Sequence, residues 1–344
     1  MKHIGKSYDK VDAKGILSGK PSYTGDFVPK DALIIKVLRS PHAQARIKSI
    51  DTSKAKLIPG VEAIFTYEDV PNTRFTLAGQ TYPEPSAYDA LILDSVVRYV
   101  GDEVALVVAK DEATALKAMP LIKVEYEVQK PVLDLRTAMD HETVVHPEDD
   151  ILNHIPVGQD YKRNICVSYH KRVGDIEGEL AKCDYVVEGT YFDQATRQSA
   201  MEPFQSFGYI DHLGRIVIVS STQIVFHVRR HIARALGIPA SKIRVIKPRI
   251  GGGFGSKQTA CTELMTAFVT WKLQKPCYLL YDRTEAQTCS TTRHAREWYI
   301  RVGATKDGII QVIDMDSITD AGAHATHCFT TTTAGEHKSV PLYN

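Results

Sequence analysis

The chain has 344 residues, more than one hydrophobic core usually covers, and its 43% hydrophobic share is ample for packed interiors, so two or more domains are expected. Its 42 basic and 41 acidic residues leave a net charge of +1 without any basic run, which argues against nucleic acid and anionic membranes as the main partners. The N-terminus lacks a signal-peptide core, and no stretch approaches the ~20 apolar residues of a membrane span, so we expect the protein in the cytoplasm.

After an N-terminal segment, residues 1–17, short β-rich runs alternate with one helix candidate and predict an α+β domain over residues 18–140. The predicted strands are Ala32 to Leu38, Val61 to Thr66, Glu103 to Ala109 and Ile122 to Tyr126. The helix is predicted from Asp111 to Met119, because Asp111 can cap its start and Pro120 marks its end.

The stretch 141–173 is polar and aperiodic, and it predicts a linker to a second α+β domain over residues 174–344. Predicted strands in this second half are Tyr185 to Phe192, Ser206 to Ile210, Arg215 to Ser220 and Lys242 to Lys247. Helices are expected from Gln223 to Leu236, ended by Gly237, and from Thr259 to Leu273.

Between the last of these strands and the last helix lies the run Arg-Ile-Gly-Gly-Gly-Phe-Gly-Ser-Lys-Gln, residues 249–258. Glycines permit unusual backbone angles and let a bulky ligand lie against bare N–H groups at a helix N-terminus, which indicates a site for a phosphate-bearing cofactor. Counted from Gly251, Ser256 stands where both a P-loop and a dinucleotide fingerprint need glycine, and Gln258 stands where the P-loop needs a hydroxyl. A tight structural turn remains the alternative.

Two other patterns suggest metals and are weaker. The six cysteines are scattered without a C-x-x-C pair, which favours free thiols over a zinc or iron–sulfur site. His227 and His231 have the i, i+4 spacing of a zinc pair, yet Arg229 and Arg230 between them argue against a cation.

The segment from His324 to Thr333 predicts a loop, either on the plain surface or at a substrate entrance.

The glycine run, the preceding Ser-Ser-Thr-Gln at residues 220–223 and Met-Glu-Pro at 201–203 together resemble the molybdopterin-binding subunit of the xanthine dehydrogenase and aldehyde oxidase family. In the N-terminal half, Gly25-Asp26, residues 40–43 (Ser-Pro-His-Ala), 59–61 (Pro-Gly-Val) and 98–102 (Arg-Tyr-Val-Gly-Asp) resemble that family's a/b hammerhead domain. The resemblance therefore implies a hammerhead domain followed by the first part of a molybdopterin-binding α+β domain.

The resemblance also implies a site. Its residues are Gln223, hydrogen-bonded near molybdenum; Gly252, Gly253, Phe254 and Gly255, which line metal and pterin; and Glu202, which supports the site. No protein side chain is expected to ligate the metal, so the protein contributes hydrogen bonds and close backbone approach to a molybdenum–molybdopterin cofactor, with its cytosine dinucleotide form left open.

The activity implied is oxidative hydroxylation with oxygen derived from water, two electrons passing to 2Fe-2S clusters and FAD expected on partner subunits. Relatives that oxidise xanthine have a glutamate where Gln258 stands. An amide cannot trade protons, so Gln258 makes xanthine a less secure substrate while suiting a neutral N-heterocycle, purine-like or nicotinate-like. An aldehyde substrate, and a Gln258 without any substrate contact, remain alternatives; Phe254 is the other expected substrate contact.

Members of the family continue well beyond the position of Asn344. The chain is therefore expected either to be one half of a molybdenum subunit split over two polypeptides, with a second molybdopterin subunit as partner, or to be a truncated fragment. On either view it is not expected to be active alone. A noncatalytic scaffold that keeps the fold without the cofactor is the competing hypothesis from another functional class.

Overall fold

A computed structural model describes residues 2–340. The C-terminal residues Pro341 to Asn344, beyond which members of the family continue, lie outside the described residues. The strands are β1 Leu33–Arg39, β2 Ala45–Asp51, β3 Val61–Phe65, β4 Val96–Val97, β5 Glu103–Ala109, β6 Lys123–Val128, β7 Tyr185–Asp193, β8 Gln205–Ile210, β9 Ile216–Ser220, β10 Ile243–Ile246, β11 Cys277–Leu280, β12 Arg296–Ala304 and β13 Ile310–Thr319. The helices are α1 Ala13–Leu17, α2 Ser53–Lys56, α3 Glu112–Ala118, α4 Ile176–Leu180, α5 Val225–Leu236, α6 Glu263–Leu273, α7 Arg283–Thr288 and α8 Cys328–Ser339.

A seven-stranded mixed sheet in the order β10-β9-β8-β11-β1-β5-β3 joins the two halves of the chain. Strand β1 pairs in parallel with β11, which brings Ile34 beside Tyr278, and antiparallel with β5 on its other side. Two three-stranded sheets, β13-β12-β7 and β4-β2-β6, complete the architecture. The α+β class implied by the resemblance is thus confirmed.

Helices α5 and α6 cover the large sheet and bury its main core. The completely buried side chains of this core come from both halves of the chain, for example Ile35, Leu106, Ile218, Ile232 and Phe268. Strands β9 and β10 pair in parallel beside this core. The segment around Gln223 follows β9 and the glycine run follows β10, so both segments begin at the same end of the sheet. None of the helices within residues 2–340 has the length and apolar character needed to cross a bilayer.

Most predicted elements are found within a few residues of their expected limits. Asp111 caps α3 as predicted, with its carboxylate accepting a hydrogen bond from the Thr114 N–H at 2.7 Å. Gly237 ends α5 in a left-handed conformation, with φ at 65°, which glycine adopts without a Cβ penalty.

Two predictions in the second half are wrong. The helix expected from Thr259 begins only at Glu263, because Thr259 and Ala260 run as extended chain beside Leu77 and Ala78. The threonine run expected as loop lies in α8, where Thr333 is buried and its hydroxyl donates to the Phe329 carbonyl, so side-chain bonding within the helix offsets a poor helix propensity.

The stretch 141–173 contains no α-helix or strand, only the short 3₁₀ helix Tyr161–Arg163. It is nevertheless packed against the rest of the protein, since His146 and Val157 are buried and Leu152 bridges to Tyr88. The limits at residues 17, 140 and 173 stay predictions, and the shared seven-stranded sheet shows that the two predicted domains meet over a common core.

Candidate active site at the glycine loop

The glycine loop, residues 249–258, leaves β10 and turns through backbone angles that few side chains tolerate. Gly252 and Gly255 have φ of 100° and 94°, and Phe254 between them has φ of 52°, which is uncommon outside glycine. The loop then closes in the 3₁₀ turn Ser256–Gln258 and does not enter α6 directly. The expected cradle at a helix N-terminus is therefore replaced by a loop in which the N–H groups of Gly252, Gly253 and Phe254 have no hydrogen-bond partner among residues 2–340.

Gln223 lies against this loop at the start of the segment that leads into α5. Its backbone N–H donates to the Lys257 carbonyl at 2.8 Å, and its side-chain oxygen accepts the Gly255 N–H at 3.2 Å. A Cβ at position 253 would overlap the Gln223 carboxamide, so glycine is required there for the two segments to approach. Because the carboxamide oxygen is already bonded, its NH₂ group is the end left to donate.

Beneath the loop, Glu202 and Lys257 form a buried ion pair with Glu202 Oε2 and Lys257 Nζ 3.0 Å apart. The same carboxylate oxygen accepts the Gly251 N–H at 2.6 Å, and the other accepts from Gln205 at 2.7 Å. Tyr278 donates to Gln205 at 2.6 Å, and burial raises the pKa of Tyr278 to about 12, which keeps this hydroxyl protonated as a donor. The network fixes the loop from below.

Lys257 is the member of this network that sequence reasoning missed. It stands where a P-loop would have its lysine, yet its side chain is 1% exposed and it contacts Glu202 in place of a phosphate. Burial lowers the pKa of Lys257, an effect that the neighbouring Glu202 opposes. A lysine six residues before a helix, with a glutamate somewhere upstream, is too common a pattern to have identified the pair.

On the opposite side of the loop, Phe254 and Gln258 are exposed and line a cleft of about 630 Å³. Gly255 also lines it, and a Cβ there would meet no atom within 4 Å. The cleft walls further include Arg296 and Trp298, which the sequence did not indicate as site residues, and His327, from the segment expected either on the plain surface or at a substrate entrance. Phe254 and Gln258 therefore share one cleft, while Gln223 and Glu202 lie behind or beside the loop.

His327 is the titratable group of this cleft whose pKa differs most from its ordinary value. Burial and the nearby His294 lower the pKa of His327 to about 4. The Gly79 N–H donates to its Nε2 at 3.4 Å, and its Nδ1 is 3.4 Å from the Thr259 hydroxyl, which suits the neutral Nδ1-protonated ring. Where the glycine loop borders the cleft it thus presents an amide and an aromatic ring, with the neutral imidazole of His327 also in the lining. The charged lining residues, Asp193, Arg293 and Arg296, come from other segments.

The geometry fits a bulky cofactor held without direct ligation. The loop offers glycine backbone with room beside Gly255, and Gln223 offers an NH₂ group whose orientation is fixed by Gly255. A neutral amide donates a hydrogen bond without adding charge beside a ligand that carries its own.

Comparison with known proteins agrees with this class of site. Residues 157–344 match the molybdopterin cofactor-binding domain, and residues 18–130 match the a/b hammerhead domain of aldehyde oxidase and xanthine dehydrogenase. The chain belongs to the aldehyde oxidase and xanthine dehydrogenase family of molybdopterin-binding proteins, as the resemblance indicated.

Individual relatives support the same assignment. The chain is 38% identical over 364 aligned positions to the probable hypoxanthine oxidase XdhD of Escherichia coli K12, covering 99% of this chain and 38% of that protein. It is 31% identical to the nicotinate dehydrogenase large molybdopterin subunit of Eubacterium barkeri, covering 94% of this chain and 72% of that subunit. The solved aldehyde oxidoreductase from Desulfovibrio gigas superposes with a TM-score of 0.77 at 25% identity, over 92% of this chain and 34% of that one. The chain thus spans well under half the length of the hypoxanthine oxidase relative.

Proposed function

We propose that this chain forms one wall of the active site of a molybdenum hydroxylase that hydroxylates an N-heteroaromatic compound with oxygen derived from water. The observation that carries the proposal is the hydrogen bond from the Gly255 N–H to the side-chain oxygen of Gln223. It engages the Gln223 side-chain oxygen and leaves the NH₂ group, which has no hydrogen-bond partner among residues 2–340, free to donate to a bound group.

The molybdenum–molybdopterin cofactor, when bound, supplies the oxygen-transfer and two-electron redox chemistry. The chain's own residues would hold and orient this cofactor. Gly255 leaves open space beside the loop, so that backbone can approach the cofactor closely, while Gly252 and Gly253 let the loop pack against Phe254 and Gln223. Gln223 donates its fixed NH₂ hydrogen bond, and Glu202 with Lys257 holds the loop in place without reaching the cleft.

The substrate we propose has a planar N-heteroaromatic ring, purine-like or nicotinate-like. Phe254 offers an exposed aromatic face, and Gln258 can both donate to and accept from ring nitrogens and carbonyls. The names of the hypoxanthine oxidase and nicotinate dehydrogenase relatives support this class. An aldehyde would not need the paired donor and acceptor of Gln258.

Electrons are proposed to leave through 2Fe-2S clusters and FAD on partner subunits, in a cytoplasmic complex. Support comes from the subunit names of relatives, which include a xanthine dehydrogenase molybdenum-binding subunit and a large molybdopterin subunit. A second molybdopterin-binding segment would supply the rest of the site. Extraction of the cofactor would show whether the pterin carries the cytosine dinucleotide extension, the form left open above.

The test is to express the chain with the products of its neighbouring genes, isolate the complex, and measure molybdenum content, pterin fluorescence after denaturation and turnover of hypoxanthine and nicotinate. We expect stoichiometric molybdenum and pterin. Gln223→Ala should retain the fold and lower turnover by about 10²-fold or more, the effect typical of losing a preorganised donor. Gln311→Ala, an exposed glutamine on β13, serves as the matched control.

Two outcomes would count against the proposal in different ways. A complex without molybdenum or pterin would support the scaffold hypothesis and remove the enzymatic one. Full turnover in Gln223→Ala, with molybdenum retained, would remove Gln223 from the cofactor's surroundings while leaving the family assignment intact.

A further inference from the structure

A buried cluster of metal-binding side chains lies where α5 packs against the segment around Glu84. Glu84 Oε1 is 3.4 Å from His227 Nδ1 and 3.7 Å from His231 Nε2. One ligand atom from each residue lies within 4.8 Å of the other two. Glu84 is 1% exposed and His231 is 3% exposed, so the cluster is built into the core rather than on the surface.

These separations are close to those of a tetrahedral metal site. With metal–ligand distances near 2.1 Å, two tetrahedral ligands stand about 3.4 Å apart, so a zinc ion would require shifts of only tenths of an ångström for the two glutamate pairs. His227 and His231 supply the i, i+4 pair that the sequence indicated, and the carboxylate is Glu84, some 140 residues upstream, which sequence spacing could not reveal.

His231 shows that the cluster has an unused donor. Neither of its ring nitrogens has a hydrogen-bond partner among the described residues, 2–340, although the side chain is buried. Leaving both imidazole nitrogens unpaired in a core costs free energy that a metal bond would recover. Around the cluster, Tyr88 donates to the second Glu84 oxygen at 2.9 Å and orients the carboxylate, as outer-shell partners of metal ligands do.

Arg229 and Arg230, whose charges argue against a bound cation in the sequence, lie differently in the structure. Arg229 turns away, its Nε donating to the Ala240 carbonyl at 2.8 Å. Arg230 does reach the cluster, with Nη2 2.9 Å from Glu84 Oε1 and 2.8 Å from His227 Nδ1. Its side chain is 32% exposed and lies over the exposed ring of Tyr82, so it can withdraw toward solvent.

We propose that Glu84, His227 and His231 form a zinc site in which Arg230 is the competing cation. Two imidazoles and one carboxylate are a ligand set that zinc accepts, with a fourth position left for water. Arg230 donates to the same oxygen and nitrogen that would bind the ion, so zinc and the guanidinium exclude each other. This site is separate from the glycine loop and does not depend on the function proposed for it.

A second cluster provides an internal control. Its three residues, Asp89, His146 and His324, also place one ligand atom each within 4.8 Å of the other two. There the ring nitrogen of His146 nearest Asp89 is already engaged, since Nε2 donates to the Ala323 carbonyl at 2.6 Å. His324 Nδ1, 3.4 Å from Asp89 Oδ1, has no partner among residues 2–340, but with His146 Nε2 protonated only two ligands remain toward the ion. We therefore expect this second cluster not to take the ion.

The experiment is equilibrium dialysis of the purified full chain, with its co-expressed partners, against zinc chloride after chelator treatment, with bound zinc measured by mass spectrometry. The variants are His231→Ala, His227→Gln, Arg230→Met and the control His324→Ala. Cobalt(II) replaces zinc in a parallel set, since its visible spectrum reports tetrahedral coordination. Circular dichroism of each variant separates lost binding from lost folding.

We expect one zinc per chain in the wild type and in His324→Ala. Loss of an outer-shell partner typically weakens metal binding by about 10-fold or more. Loss of the ligand His231 or His227 should weaken zinc binding by more than about 10-fold, whereas Arg230→Met should strengthen it. Absence of stoichiometric zinc in both wild type and Arg230→Met, or zinc that follows His324 instead of His231, would overturn the proposal. A zinc-bound wild type whose cobalt spectrum is octahedral would also contradict it.

Discussion

The two faces of the glycine loop are built from opposite chemistry. The inner face is charged and closed, with Lys257 and Glu202 buried against each other and against the Gly251 N–H. The outer face is neutral and open, with Phe254 and Gln258 exposed to the cleft. Charge thus fixes the loop from below, and the uncharged Phe254 and Gln258 face the cleft in which we propose that the ligand binds, so the two faces should respond differently to substitution.

Lys257→Met should give the largest loss of stability, because it leaves the Glu202 carboxylate buried without a counter-charge. Breaking a buried pair by removing one partner costs about 3–5 kcal/mol, to be measured as the free energy of unfolding in urea. The Glu202→Gln and Lys257→Met double variant removes both charges and should recover part of that loss. If the double variant is as unstable as Lys257→Met alone, the ion pair does not explain the loop's rigidity.

His327, which lines the cleft at the outer face, should make the free energy of unfolding depend on pH. Its pKa in the folded protein is lowered to about 4 while an unfolded histidine titrates near 6.5, so the unfolded chain binds the extra proton between these values. Stability contributed by the neutral ring is therefore full above pH ~6.5 and lost as the pH falls toward 4, by up to about 3 kcal/mol.

Urea unfolding of wild type and His327→Gln at several pH values between 4 and 7 measures this effect. The glutamine variant should show a flatter profile, since it keeps polar contacts without titrating. His212→Gln, at an exposed turn, is the control and should retain the wild-type slope. Parallel profiles for wild type and His327→Gln would show that His327 titrates normally in the folded protein.

Gly253→Ala tests the contact between the loop and Gln223. The added Cβ would overlap the Gln223 carboxamide, and overpacking of this kind costs about 1–3 kcal/mol. In a Gln223→Ala background the same substitution should cost clearly less, because the overlapping group is gone. Gly15→Ala, where the nearest atom to the new Cβ is at 3.7 Å, is the control. Equal costs in both backgrounds would locate the strain elsewhere.

The sequence predicted the parts of the site that are local and missed those that depend on tertiary contacts. Four glycines around one phenylalanine indicated the loop, and the capping residues of α3 and α5 were readable because their effect spans three or four residues. The start of α6 was not readable, since Thr259 and Ala260 are held extended by Leu77 and Ala78, about 180 residues away. Lys257 was missed for the same reason, because its partner Glu202 is distant in sequence, whereas the segment of His327 had a substrate entrance as one of its two alternatives.

Gln258 should have the smallest effect on stability and the sharpest effect on substrate choice. Its side chain is exposed in the cleft, so Gln258→Glu and Gln258→Ala should change the free energy of unfolding by less than about 0.5 kcal/mol. In the loaded complex, Gln258→Glu should favour hypoxanthine over nicotinate in kcat/KM by about 10-fold, because a carboxylate can exchange protons with a purine and repels the nicotinate carboxylate. Gln258→Ala should lower both values without changing their ratio. An unchanged ratio in Gln258→Glu would mean that Gln258 does not touch the substrate, and that the outer face selects its ligand through Phe254 and the cleft walls alone.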